Sequence, residues 1–124
     1  MTKILIAEDN KLSQKMMYYT FRRFGVDVYY ADDGIMVDKM ARADFYDIIL
    51  MDIMMPGMSG YDATRHIREN EKLLSKKSII IGLSGNVYDN EREKCISAGM
   101  DDFLSKPFDI DKLQAIVSRF GITL

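Results

Sequence analysis

Strand and helix patterns alternate five times along this 124-residue chain, and this alternation limits the possible fold more than any other feature. Apolar runs typical of buried parallel strands lie at residues 3–7, 48–51 and 78–83, and weaker strand patterns lie at 26–31 and 102–105. Parallel strands joined by helices need both faces of their sheet covered. The sequence therefore predicts an α/β fold, a doubly wound open sheet of five parallel strands.

The predicted helices follow each strand and differ in the strength of their patterns, the second being the weakest. Their positions rest on apolar residues at helical spacing and on caps at either end. The first helix contains Leu12, Met16, Thr20 and Phe24 and ends at Gly25, and the second contains Val37, Met40 and Ala41 after Asp32-Asp33-Gly34. The third runs from Tyr61 to about Asn70, and the fourth from about Val87 to Ser97, closed by Gly99. The fifth contains Leu113, Ile116, Val117 and Phe120 and is capped by Asp109 or Asp111.

Composition narrows the class of protein. A length of 124 residues with 48% hydrophobic content fits a single domain, residues 1–124, that buries about two-thirds of its unfolded surface. The net charge of -2 gives no electrostatic reason to expect nucleic acid binding.

Cys95 has no partner for an internal disulfide, and no apolar run of transmembrane length or signal-peptide pattern is present, so we expect a cytoplasmic protein. Ten scattered methionines favour core filling.

The predicted strands end in polar side chains of complementary chemistry. Glu8 and Asp9 follow the first strand, Asp52 ends the third, Ser84 ends the fourth and Lys106 follows the fifth. Ligands of open α/β sheets bind at the carboxyl ends of the strands, so these groups should share one crevice. Carboxylates there repel by roughly 3 kcal/mol per pair at about 5 Å and an effective dielectric of 20. The oxygen ligands predict a Mg²⁺ site, and the lysine and hydroxyl suit phosphoryl oxygens.

A simpler reading of these acids is that each caps a turn, which is a common role for aspartate. Capping does not explain why Lys106 precedes Pro107, or why the loop after Asp52 contains Pro56-Gly57. Peptide bonds before proline are the main place where the cis form occurs, and a cis bond can aim the preceding side chain. Pro107 is therefore a candidate cis-proline, through its peptide bond to Lys106.

The sequence matches several enzyme motifs only in part. Gly82-Leu83-Ser84-Gly85-Asn86 resembles a nucleophile elbow except for its last residue, and the single histidine, His66, precedes the serine. A flavin-binding module would need a phosphate-binding loop after the first strand, where Glu8-Asp9 repels anions. Asp52-Ile53-Met54 lacks the second acid of Asp-x-Asp hydrolases, and no P-loop motif is present.

Three motifs resemble the receiver domain of two-component response regulators, over nearly the whole chain. They are Lys3-Ile4-Leu5-Ile6-Ala7-Glu8-Asp9-Asn10, Met51-Asp52-Ile53-Met54-Met55-Pro56-Gly57-Met58-Ser59-Gly60 and Lys106-Pro107-Phe108. The resemblance implies a flavodoxin-like sheet of order 2-1-3-4-5. It also implies a signalling protein that takes a phosphoryl group from a histidine kinase or a histidine-phosphotransfer protein. We expect this protein to be a monomer. Residues 62–65 and 93–102 look most like receivers of hybrid sensor kinases.

The resemblance also assigns roles to individual residues. Asp52 matches the phosphorylated aspartate, and Glu8, Asp9, Asp52 and the backbone carbonyl of Met54 match the Mg²⁺ ligands. Ser84 and Lys106 match the groups that contact the phosphoryl oxygens. Phe103 matches the family's switch aromatic, a position where tyrosine is frequent. With Ser84, it is expected to change the conformation of the face formed by the fourth helix, fifth strand and fifth helix when Asp52 is phosphorylated. A Mg²⁺-dependent phosphatase acting on small phosphoesters is the alternative, and the absent second acid beside Asp52 favours the receiver.

Overall fold

Five strands alternate with five α-helices in the computed structural model, which describes residues 1–85 and 90–124. Their bounds are β1 Lys3–Ala7, α1 Lys11–Phe21, β2 Asp27–Ala31, α2 Gly34–Ala43, β3 Ile48–Asp52, α3 Gly60–Glu71, β4 Ile79–Ser84, α4 Glu91–Ala98, β5 Asp102–Ser105 and α5 Ile110–Ser118. Among these helices none is both long and apolar enough to cross a membrane.

All five strands lie parallel in a single sheet, in the order β2-β1-β3-β4-β5. At the carboxyl edge, Ala7 pairs with Met51 and Asp52 pairs with Leu83, so the ends of β1, β3 and β4 lie side by side. The predicted α/β class, strand order and flavodoxin-like topology are confirmed. Because β1 and β3 are neighbours at the centre of the sheet, the residues that follow them face the same crevice.

The sheet is covered on both faces. Side chains alternate between the two faces of a strand, so adjacent residues of β3 enter different cores. Ile49 packs in the core beneath α2, α3 and α4, whereas Ile48 and Leu50 pack in the core beneath α1 and α5. Every residue of β3 is buried. This continuous burial explains why β3 reads as an uninterrupted apolar run.

The buried face of α1 is not the stripe of residues from which this helix was predicted. Met17 and Phe21 enter the core, whereas Leu12 and Met16 are 67% and 62% exposed. Both pairs have the same spacing of four residues, so periodicity alone did not separate the core stripe from the neighbouring surface stripe. Gly25, at φ 64°, ends a short 3₁₀ turn that continues α1, in agreement with the predicted stop.

The methionines are divided between core and surface. Met17, Met51 and Met100 are buried, and others pack at the edge of the core, but four are exposed. Core filling therefore explains only part of the methionine content. Exposed methionine remains at Met1, Met16, Met36 and Met54.

The predicted helix ends agree with the structure where it describes them. Asp33 caps α2, and Asp109 rather than Asp111 caps α5, each by accepting a hydrogen bond from a backbone N–H. Gly99, at φ 108°, closes α4 as predicted. The start of α4 predicted near Val87 lies outside the described residues, and the helix is described from Glu91.

Candidate functional site

Asp52 is placed at the carboxyl edge by a loop that folds back tightly on β3. The N–H of Ile53 donates to the Leu83 carbonyl at 3.1 Å, and the N–H of Gly60 donates to the Ile53 carbonyl at 2.9 Å. A Cβ atom at Gly60 would lie only 2.4 Å from the carbonyl oxygen of Asp52. The absence of a side chain at Gly60 therefore allows α3 to begin directly against Asp52. Asp52 is buried, with only 5% of the residue exposed.

The two acids after β1 differ in their environment. Glu8 is 1% exposed, and its N–H donates to the Ala31 carbonyl at 3.0 Å, whereas Asp9 is exposed. One carboxylate oxygen from each of Glu8, Asp9 and Asp52 lies within 4.8 Å of the others. The predicted meeting of these acids at one edge is confirmed. Three hard oxygen donors at this spacing fit Mg²⁺, which protein sites hold with few carboxylates.

Lys106 reaches across the crevice to two of these acids. Its Nζ donates to Asp52 Oδ2 at 3.1 Å and to Glu8 Oε2 at 3.1 Å. The backbone N–H of Lys106 donates to the Ser84 carbonyl at 2.8 Å, and its peptide bond to Pro107 is cis, as predicted. The main chain after β5 is thus joined to the end of β4, which brings the ammonium group over Asp52.

The electrostatics of this cluster depend on burial and on Lys106. Burial, and after it the nearby Asp52, raise the pKa of Glu8, and Lys106 opposes the shift; the net pKa is about 7. For Lys106, burial lowers the pKa, but hydrogen bonds and charges from Asp52 and Glu8 outweigh burial and leave the pKa above its ordinary value. Lys106 therefore stays protonated, while Glu8 titrates near neutral pH.

The acids, Ser84 and Lys106 line an open cavity of about 350 Å³, together with Met54. Ser84 is buried, and the N–H of Met54 donates to Asp52 Oδ1 at 3.1 Å. The cavity can admit a tetrahedral oxyanion beside the Asp52 carboxylate, with a cation already present. Two of the predicted site residues do not line this cavity. Pro107 lines a neighbouring cavity, and Phe103 is half-buried and packs against the core beneath α2, α3 and α4.

Sequence analysis missed Gln14, which contacts the acid-bearing turn. Its Nε2 donates to the Glu8 carbonyl at 2.5 Å and to Asp32 Oδ1 at 2.8 Å. Gln14 lies one turn after the α1 cap Asn10. That position was the available signal, since a side chain in the first turns of a helix can fold back on the preceding loop.

Asp102 at the start of β5 was also missed as a structural centre. It is buried, and its carboxylate accepts from Arg92 Nη1 of α4 at 2.7 Å and from Arg119 at the end of α5. These contacts join α4, β5 and α5. Nearby, the Tyr61 hydroxyl of α3 donates to the buried carboxylate of Glu91.

A 2-1-3-4-5 sheet with an acidic pair after β1, an acid ending β3 and a lysine after β5 defines the receiver class of signalling domains. The chain belongs to the family described as the response regulator receiver domain, which matches residues 4–118. Receiver domains are signalling modules rather than enzymes of the usual kind.

Among curated relatives, hybrid signal transduction histidine kinase G of Dictyostelium discoideum is 37% identical over 125 residues. The match covers 98% of this chain and 4% of the kinase, so the chain spans a small part of that relative. Sensor protein EvgS of Escherichia coli is 35% identical over 116 residues, which cover 94% of this chain and 9% of EvgS. The predicted likeness to hybrid-kinase receivers is confirmed.

Two solved structures share the fold closely. The receiver domain of the sensor histidine kinase PA1611 from Pseudomonas aeruginosa, with a magnesium ion coordinated in its active-site cleft, is 40% identical, with a TM-score of 0.82 and 95% of each chain covered. The second structure contains the receiver domain of Ssk1 from Saccharomyces cerevisiae, crystallised with the histidine phosphotransfer protein Ypd1. It is 26% identical to this chain, with a TM-score of 0.86 and with 94% of this chain and 86% of the other covered.

Proposed function

We propose that this chain is a phosphoacceptor in a phosphorelay, and that the Asp52 carboxylate takes a phosphoryl group from a phosphohistidine on a partner protein. One observation carries the proposal: the buried Asp52 lies 3.1 Å from Lys106 and beside two further acids, at the wall of an open cavity. Glu8, Asp9, Asp52 and the Met54 carbonyl are the proposed ligands of Mg²⁺. A bound Mg²⁺ would neutralise charge on the carboxylates and on the phosphoryl oxygens.

The proposed transfer needs positioning and charge more than covalent catalysis. An oxygen of Asp52 attacks phosphorus as the phosphorus–nitrogen bond breaks, and the bonding electron pair returns to the imidazole nitrogen of the donor. Lys106 moves from its carboxylate contacts to an oxygen of the phosphoryl group, and the Ser84 hydroxyl donates to another. The product carries roughly -1.5 to -2 charge where the carboxylate carried -1.

The proposed donor is a histidine kinase or a histidine-phosphotransfer protein. This is supported by the hybrid kinases among the relatives and by the Ssk1 receiver that was crystallised with Ypd1. The exposed side chains of Leu12 and Met16 also support it, because Met16 borders an apolar cavity of about 230 Å³ that Glu8 and Lys106 line as well. A protein that presents a phosphohistidine to Asp52 would cover this surface of α1.

The proposed output surface is the face formed by α4, β5 and α5. Ser84 and Ser105 pair in the sheet, and Phe103 lies two residues before Ser105 on the same strand. Movement of Ser84 toward a phosphoryl group would leave space that the ring of Phe103 can occupy. The three elements of this face already share the buried carboxylate of Asp102, so a shift at β5 would be transmitted to α4 and α5.

The test is phosphorylation by acetyl phosphate with Mg²⁺, with the modified residue mapped by mass spectrometry. Wild type should gain one phosphoryl group on Asp52, and Asp52→Asn should gain none. Asp47→Asn is the matched control, because Asp47 precedes β3 at the opposite edge of the sheet. Phosphate found on another aspartate of wild type would overturn the assignment of Asp52.

The phosphatase alternative gains no support from the site. Met54 occupies the second position after Asp52, where an Asp-x-Asp hydrolase has its acid, and its side chain is exposed. We expect phosphotransfer from a phosphorylated histidine-phosphotransfer protein and no steady-state hydrolysis of p-nitrophenyl phosphate. Sustained turnover of that ester, lost in Asp52→Asn, would favour the phosphatase.

A further inference from the structure

One side chain of α1 joins the acid-bearing turn to a neighbouring strand end. Gln14 Nε2 donates at 2.5 Å to the backbone carbonyl of Glu8 and at 2.8 Å to Asp32 Oδ1, in the turn after β2. Lys11 Nζ donates to the same Asp32 oxygen at 2.7 Å. The amide of Gln14 has two N–H donors, so this pair of contacts uses its full donor capacity.

We propose that Gln14 is a positioning residue for Mg²⁺ binding: it holds the turn of residues 8–10 in the geometry in which Glu8 and Asp9 can bind the ion. This inference rests on the proposed function. It assigns a role to a residue that contacts neither the ion nor the phosphoryl group. Gln14 contacts the backbone carbonyl of Glu8, which belongs to the peptide between the proposed ligands Glu8 and Asp9.

The contacts of the turn support this role. Glu8 is anchored on the strand side by the bond from its N–H to the Ala31 carbonyl. Asn10 is anchored on the helix side, where its Oδ1 accepts from the N–H of Ser13 at 3.0 Å. Between these anchors, the carbonyl of Glu8 is held by the side chain of Gln14. Loss of that bond would free the peptide that connects Glu8 to Asp9.

Asp32 supplies the second end of the link. Its side chain is 61% exposed, so its contacts with Lys11 and Gln14 add little to stability by themselves. Hydrogen bonds from Lys11 and Gln14 lower the pKa of Asp32, which keeps it ionised as an acceptor. Its contribution is therefore orientation of the Gln14 amide rather than net stabilisation.

The effect on metal affinity follows from how ligands behave when their supports are removed. Groups that orient metal ligands without touching the ion commonly change affinity by about 10- to 100-fold when they are lost. Glu8 is also supported by burial and by Lys106, so the lower end of that range applies here. We expect an approximately tenfold rise in the Mg²⁺ dissociation constant.

The experiment compares Gln14→Met with wild type in a Mg²⁺ titration followed by amide resonances of the full chain. This change keeps the net charge and nearly the side-chain length, and it removes the amide N–H donors together with the amide oxygen. Gln114→Met is the matched control, because Gln114 lies on α5, away from the turn. The expected result is about tenfold weaker Mg²⁺ binding in Gln14→Met alone, with wild-type phosphorylation rates from acetyl phosphate restored at saturating Mg²⁺.

Wild-type affinity in Gln14→Met would overturn the inference, and so would a phosphorylation defect that saturating Mg²⁺ does not correct. If Gln14→Met does not fold, Gln14→Asn shortens the same amide by one methylene and carries the same expectation. A wild-type chain that does not bind Mg²⁺, or is not phosphorylated on Asp52, would instead overturn the proposed function itself.

Discussion

Lys106 Nζ lies 3.1 Å from Asp52 Oδ2, so the proposed acceptor is paired with a cation before any phosphoryl group arrives. The same ammonium group lies 3.1 Å from Glu8 Oε2. Since Asp52 and Glu8 are buried, Lys106 offsets their repulsion in the resting protein. Phosphorylation would exchange these carboxylate contacts for contacts with phosphoryl oxygens, without leaving the ammonium unpaired.

Replacement of Lys106 should affect both stability and transfer. Lys106→Gln leaves two buried carboxylates without their shared cation and should lower the free energy of unfolding by about 2 kcal/mol in the absence of metal, a value reduced for the partial exposure of Lys106. Phosphorylation by acetyl phosphate should slow roughly 100-fold, as expected for loss of a preorganised donor. Urea unfolding and phosphorylation time courses measure the two effects.

The control for that variant is Lys112→Gln, which removes the same charge from the exposed surface of α5. It should leave both measurements unchanged. Equal phosphorylation rates in Lys106→Gln and wild type would exclude Lys106 from the transfer.

Neutralising Asp9 should stabilise the protein without metal. Asp9 adds a third negative charge within 4.8 Å of Glu8 and Asp52, so Asp9→Asn should raise the melting temperature of the metal-free protein. The same variant should abolish the rise in melting temperature that Mg²⁺ produces in wild type by binding only the folded state. Thermal unfolding with and without Mg²⁺ measures both.

Asp27→Asn, at the amino end of β2, is the control for Asp9→Asn and should keep the full Mg²⁺ response. An unchanged response in Asp9→Asn would remove Asp9 from the ligand set.

Stability without metal should depend on pH through Glu8. Its pKa is raised from 4.5 to about 7 by burial, so between these values the folded chain holds a proton that the unfolded chain releases. The contribution of Glu8 to the free energy of unfolding is therefore greatest below about pH 4.5 and declines as pH rises toward about 7. Urea unfolding at about pH 5 and about pH 8, compared between wild type and Glu8→Gln, isolates this contribution.

In Glu8→Gln the decline in stability between the two pH values should be smaller than in wild type. Saturating Mg²⁺ should reduce the wild-type decline, because the ion binds the ionised carboxylate. A steeper decline in Glu8→Gln than in wild type would contradict the raised pKa.

The proposed relay from Ser84 to Phe103 predicts separate effects on phosphorylation and on its structural consequence. The field of a phosphoryl group at Asp52 is screened beyond about 8 Å at physiological salt, so a distant face needs a structural relay. Ser84→Ala should still accept beryllofluoride, since Asp52 and Lys106 remain, but the resulting amide shifts in residues 90–108 should weaken. Phe103→Ala should weaken them further.

Phe120→Ala is the control for Phe103→Ala, because Phe120 is an exposed phenylalanine beyond the end of α5. Wild-type shifts in both Ser84→Ala and Phe103→Ala would exclude the relay and indicate that the loops beside Asp52 read the phosphoryl group.

Local patterns in the sequence were sufficient for the strands and for most of the helices. The apolar run before Asp52 predicted a buried strand, and Gly25 and Gly99 marked helix ends that the structure contains. Periodicity left the buried face of α1 open, because Leu12-Met16 and Met17-Phe21 have equally helical spacing. Only packing against the sheet determines which pair is buried.

By itself, the sequence determined which chemical groups end the strands, and parallel pairing then required Glu8, Asp9 and Asp52 to meet at one edge. The tertiary structure decided how those groups differ. It buried Glu8 and exposed Asp9, and it paired Lys106 with Glu8 across 98 residues of sequence. Periodicity reports which face of an element a side chain occupies, whereas burial, pKa and pairing depend on distances between elements that only the packed chain establishes.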